Sequence, residues 1–229
     1  GTQQITKAMK LVSTVKLQRA RAGAERSQTY FDCMYDTVNN ILSRVGHLEH
    51  KYLVPGASPK KAVIVITSNR GLAGGYNSNI VKMLTQGELE EKELLIYNIG
   101  RKGHEALERK GYEIAEDYSE VINAPLYSDA VEISQRVLKD FKEEKIGEIY
   151  LVYTSFKNTV VHEPKLLKLL PVEFSDKELS DAERNTPMNY KPGEEEALDM
   201  IIPKYIASLL YGALNEAAAS ENGARMQAM

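Results

Sequence analysis

"KAVIVITSNRGLAGGYN" (residues 61–77) decides the fold. Residues 61–67 form a continuous apolar run rich in β-branched side chains, as expected of a strand buried on both faces of a parallel sheet. Gly71, Gly74 and Gly75 then make a tight turn, and Asn77 or Ser78 is expected to cap the helix that follows. Working outward, "ELLIYNI" (93–99) and "GEIYLVYTSF" (147–156) read as further strands, and "GYEIAE" (111–116) as a weaker one. Residues 159–172 fit a returning edge strand. Helical stretches at 77–85, 102–110 and 128–142 alternate with these, so 60–175 is expected to be a Rossmann-like α/β domain.

A glycine-rich turn between strand and helix is also where phosphates are held, but this one lacks the chemistry. A P-loop needs Gly-Lys-Ser/Thr at its end; here Tyr76 and Asn77 follow the last glycine, and the dinucleotide pattern G-x-G-x-x-G is absent. Arg70 and a nearby helix N-terminus leave contact with an anion open. The simpler reading is a structural turn.

The flanks of the domain are different. Residues 1–53 contain no proline and carry apolar residues at helical spacing, which predicts one long helix of roughly 70 Å. Phe31, Met34, Val38, Ile41, Val45 and Leu48 make a heptad seam, and Ile5, Ala8, Val12 and Val15 a shorter stripe. Gly46 weakens the end and "VPGASP" (54–59) stops it. From Glu194 the chain reads as helical again through 229, with Leu198, Ile202, Tyr205, Leu209, Gly212, Glu216, Ala219, Gly223 and Met226 at heptad spacing. Pro203 is expected to kink this helix or mark a shifted start. The two helices pair naturally as an antiparallel coiled coil with the α/β domain inserted between them. Residues 176–193, polar and turn-rich, read as an acidic surface loop. The sequence opens without Met and closes mid-pattern, so both helices are expected to run further.

Charge narrows the function. The formal net charge of −3 hides six cations against one acid in residues 1–26 (Lys7, Lys10, Lys16, Arg19, Arg21 and Arg26 against Glu25). Residues 176–199 hold eight acids against three bases. No aromatic residue lies between Ile5 and Arg26, which argues against nucleic acid, and a rod this long needs an acidic protein around it. No apolar run approaches the ~20 residues of a membrane span. Four scattered histidines, with His47 and His50 alone at i, i+3, supply no metal site, and Cys33, read as part of the helical seam, has no paired histidine. No catalytic constellation, cofactor or metal is expected.

Three segments carry a resemblance. "QITKAMKLVSTVKLQRA" (4–20) resembles the opening helix of the gamma subunits of F-type rotary ATP synthases, "SNRGLAGGYN" (68–77) their Ser-Asp-Arg-Gly-Leu-Cys-Gly-Gly turn, and "YGALNEAAASENGARMQAM" (211–229) their closing helix. Order and spacing match, so the resemblance covers essentially the whole chain, in its bacterial form. Asn69 and Ala73 depart from the family's usual Asp and Cys. The resemblance implies a non-catalytic central stalk of a proton-translocating enzyme, peripheral on the cytoplasmic face of the cell membrane. Its coiled coil would stand inside the ring of alpha and beta subunits, and its α/β domain would rest near epsilon and the membrane c-ring. It implies that Lys7, Met9, Lys10, Arg19 and Arg70 meet alpha and beta. Tyr190, Lys191 and Glu194 are expected toward epsilon or the ring, and Ile5, Val12, Leu209 and Met226 in shaft packing. The alternative is a stand-alone nucleotide- or anion-binding α/β protein with coiled-coil arms.

Overall fold

The computed structural model describes residues 1–45, 49–173 and 193–229, with backbone alone at 44 and 45. Gly46, His47, Leu48, Tyr190, Lys191 and most of the expected acidic loop, together with the Val45 side chain, lie outside what is described.

A five-stranded sheet forms the domain: β1 (Lys61–Ile66), β2 (Leu94–Ile99), β3 (Glu113–Asp117), β4 (Glu148–Phe156) and β5 (His162–Leu170), in the order β3-β2-β1-β4-β5. The first four run parallel and β5 returns antiparallel along β4, so the edge expected from residues 159–172 is present. Between the strands lie α2 (Tyr76–Thr85), α3 (Arg101–Arg109) and α4 (Tyr127–Lys142), each starting one residue before its predicted span.

The strand period of two separates two cores. Val63, Val65, Ile96 and Val152 face α2 and α3 with Ile80, Leu84 and Leu107. Ala62, Ile64, Ile66, Ile99 and Leu151 face the opposite side. There they meet α4 and the C-terminal helix α5 (Glu194–Ala228).

Helix α1 (Thr2–Val45) lies antiparallel along α5. The register reads directly: Thr14 Oγ1 sits 3.6 Å from Met226 Sδ, Ser208 Oγ 3.5 Å from Met34 Sδ, and the Phe31 and Tyr205 rings stack at 5.9 Å. Met34, Val38 and Ile41 of the expected seam are buried. Gly23 lets the helices approach, since a Cβ there would stand 3.0 Å from Asn215 Oδ1. The described α1 ends at Val45, short of residue 53, and His50 and Tyr52 turn inward beyond it. Tyr52 is buried against Phe141, and His50 Nδ1 accepts the Tyr52 N–H while Nε2 donates to Asp199 Oδ1 at 2.7 Å. Against burial, which acts to raise it, the bonds from His50 and Lys51 hold the Asp199 carboxyl below its ordinary pKa.

Four expectations change. Helix α5 runs unbroken through Pro203, whose fixed φ suits a helix and whose missing N–H deprives only the Asp199 carbonyl. It is buried on two sides, between α1 and the α/β core: Ile206, Leu210, Ala213, Leu214 and Ala217, off the predicted stripe, are all buried. Ile5 and Val12, expected in shaft packing, are 63% and 49% exposed. The last described turn of α5, at Ala228, lies beside Met9. Leu209 and Met226 are half-buried against the core. Cys33 faces solvent rather than the seam.

Candidate functional site

The carboxyl ends of β1 and β2 meet the middle of the rod, and the glycine turn fills the junction. Its side chains are spent on structure. Asn77 does not cap α2, whose N-cap is Gly75 with no side-chain bond; its Oδ1 accepts the Ser68 N–H at 2.9 Å instead. Asn69 Oδ1 accepts the Arg101 N–H at the start of α3, while its amide nitrogen donates to the Ser119 carbonyl and Asn123 Oδ1. Tyr76 Oη donates to the Ala217 carbonyl, and Arg225 Nε to that of Gly71 at 3.3 Å. Arg225 also pairs with Glu221 at 2.9 Å, both side chains nearly buried. Burial nonetheless raises the Glu221 carboxyl above its ordinary pKa. The turn is a rivet between domain and α5.

What the turn presents outward is Leu72 and Arg70. Leu72, at φ +60°, is 69% exposed. It borders a recess of about 300 Å³ with Thr6, Met9, Ala228 and Met229, which brings the expected contact residue Met9 to the tip of the turn. Arg70 lines a larger cleft of about 410 Å³ with Lys16, Arg19 and Arg26 on one face of α1. Burial, and then the Arg70 charge, lower the Lys16 ammonium below its ordinary pKa. Lys7 and Lys10 lie further along α1, exposed, and Glu194 is exposed at the opposite end of the rod, where three glutamates face the helix dipole.

Among the described residues, Lys7, Lys10, Lys16, Arg19, Arg26 and Arg70 have no carboxylate within 4 Å; the ion pairs concentrate in the α/β domain and at the ends of α5. Arg21 alone is used internally, over the Phe156 ring at 5.8 Å. Leu11 and Val15 join Ile5 and Val12 as exposed apolar residues on this segment, at 67% and 43%. Such a surface, cationic and apolar together, suits docking of an acidic partner. His50 is engaged with Asp199, and among the described residues no group of three His, Cys, Asp or Glu is placed to hold a metal ion. Sequence reasoning missed Leu72, Tyr127 and Tyr211; only the fold brings the two tyrosines edge to face at 5.7 Å.

A family model described as ATP synthase matches residues 1–229. The ATP synthase gamma chain of Lachnoclostridium phytofermentans is 61% identical over 235 residues, covering 100% of this chain and 81% of that protein. This chain belongs to the ATP synthase gamma family. A second member, the ATP synthase gamma chain of Alkaliphilus metalliredigens, is 41% identical over 100% of this chain and 80% of its own. The architecture matches a solved central stalk. The central stalk and c-ring structure of the Tetrahymena thermophila mitochondrial ATP synthase contains a chain with TM-score 0.71 and 23% identity, over 98% of this chain and 97% of that one. Gamma-family membership makes the chain a non-catalytic part of an ATP synthase.

Proposed function

We propose that this chain is the rotating central shaft of an ATP synthase, carrying the turning of a membrane ring into the catalytic alpha and beta subunits. The observation that carries this reading is the N-terminal part of α1: among the described residues none of the six cations in residues 1–26 has a carboxylate within 4 Å, and Ile5, Leu11 and Val12 beside them are open to solvent. That surface requires cover, and a ring of subunits with acidic loops supplies both charge and apolar contact. Lys7, Met9, Lys10 and Arg19 of this segment, with Arg70 of the glycine turn, would meet alpha and beta; the α/β domain would face epsilon and the c-ring, with Glu194 and the segment of Tyr190 and Lys191 toward them. The site of action is then peripheral, on the cytoplasmic face of a bacterial membrane. An asymmetric shaft changes the three catalytic sites in turn because it makes different contacts with each conformational state.

The test is reconstitution with purified alpha and beta subunits, beside a longer gamma chain as control. The expected result is a stoichiometric complex whose ATP turnover depends on this chain. Assembly of the control with no assembly or turnover from this chain would overturn the assignment for these residues. Met9→Lys places a third cation next to Lys7 and Lys10 and is expected to lower ATP synthesis per ion transported in reconstituted vesicles, where an unchanged ratio would remove Met9 from the contact.

A further inference from the structure

The cationic cleft does not end at Arg26. It runs into a second concavity of about 250 Å³ that shares Gly23, Arg26 and Tyr211 with it and adds Ser27, Tyr30 and Tyr127. One end thus offers Lys16, Arg19, Arg26 and Arg70, and the other three tyrosine rings. Tyr127 and Tyr211 are locked edge to face, while Tyr30 and Tyr127 remain 50% and 38% exposed. From Tyr30 to Arg19 the α1 axis runs about 16 Å at ~1.5 Å per residue, a span that an extended nucleoside triphosphate covers. A further group points the same way. Asn222, 5% exposed, lines the cleft with its Oδ1 buried and without a hydrogen-bond partner, its amide nitrogen already given to the Ala218 carbonyl. A buried acceptor left open is costly, and the hydroxyl of a ribose or of a protonated phosphate would satisfy it.

We propose that this composite groove binds a nucleoside di- or triphosphate, its phosphates between Arg70 and the α1 cations and its base on the tyrosines. Arginine guanidinium groups bind phosphate oxygens in pairs, and a base stacks on an aromatic face whatever its identity. The Glu221 carboxylate on the floor is already paired with Arg225, so in the chain free of alpha and beta the four cations remain for the ligand. The glycine turn contributes Arg70 and Asn69 to this groove; the phosphates lie along α1 and not on the N-terminus of α2.

The test is calorimetric titration of the purified full chain, without magnesium, using ATP, tripolyphosphate and adenosine as separate probes. ATP is expected to bind at least tenfold more tightly than either of the others. Tyr127→Leu should weaken ATP about tenfold and leave tripolyphosphate unchanged, whereas Arg70→Gln should weaken both about tenfold; circular dichroism checks that each variant is folded. No binding of ATP at millimolar concentration overturns the proposal. So does equal affinity for ATP and tripolyphosphate, which would leave only a basic surface suited to an acidic protein segment. ATP binding indifferent to Arg70→Gln would also overturn it, by moving the site elsewhere. Because the titration uses the chain alone, its outcome is independent of assembly with alpha and beta.

Discussion

Ile41 and Ile5 are the same residue type on the same helix in opposite circumstances, and truncating each to alanine measures how the rod is held. Ile41 is 1% exposed, in the seam between α1 and α5, within the cluster that continues into the sheet. Ile→Ala removes three carbons, worth about 2.4 kcal/mol at ~0.8 kcal/mol per buried methylene. Incomplete collapse of the cavity adds to this, within the ~2–5 kcal/mol seen for such truncations. Ile5 is 63% exposed, so only about a third of that transfer term is at stake, under ~1 kcal/mol. The better helix propensity of alanine offsets several tenths of it. Urea unfolding followed by circular dichroism at 222 nm should therefore show a loss of about 3 kcal/mol for Ile41→Ala and within ~0.5 kcal/mol of zero for Ile5→Ala, with the slope on denaturant unchanged. A loss above ~2 kcal/mol for Ile5→Ala would refute the reasoning. It would mean that the first turns of α1 are packed in solution, and a dependence on protein concentration would identify a second copy as the cover.

Three further outcomes follow from single contacts. Gly100→Ala, with φ at +103° and a new Cβ only 2.2 Å from the Thr67 carbonyl oxygen, should cost more than about 2 kcal/mol by thermal or urea unfolding. Asp199→Ala removes the acceptor of the nearly fully buried His50 Nε2 and should cost about 1 kcal/mol at pH 7. Because the folded-state pKa of Asp199 is depressed, its contribution is present above the ordinary carboxylate value of 3.8 and fades as pH falls through the folded value, so the deficit of the variant should shrink in acid. Glu216, half-buried beside Ser155 Oγ, has the opposite sign. Burial raises its pKa above 4.5, so its stabilising form is present below that pH and lost as pH rises through the folded value. Glu216→Gln should accordingly raise the melting temperature at pH 7, and the gap should close toward pH 4; no rise at pH 7 would show that water still reaches the carboxylate.

The β1–turn–α2 unit was legible because each of its signals is local: a β-branched run, a glycine cluster and the return of helical spacing. The sheet followed from repeats of that unit, and the pairing of the terminal helices from Met34, Val38 and Ile41. What was not legible depends on neighbours. The heptad on α5 describes one partner, whereas Leu210, Ala213, Leu214 and Ala217 belong to a second buried face, and two faces together blur the single period that a stripe is recognised by. Ile5 and Val12 keep seam spacing, yet among the described residues they are exposed. Arg19 and Arg70 were each suspect on charge, but only the fold puts them in one cleft. Tyr127 and Tyr211 lie too far apart in sequence for any spacing to join them.

The double burial of α5 has a mechanical consequence. A helix packed on one side only can slip around its neighbour by exchanging one ridge for the next. Helix α5 is gripped from both sides, with Tyr76 and Arg225 tying it to the glycine turn and Gly23 closing on Asn215 from α1. It works as the key in a keyway. A torque applied to the α/β domain would reach the paired helices through this joint without lost motion.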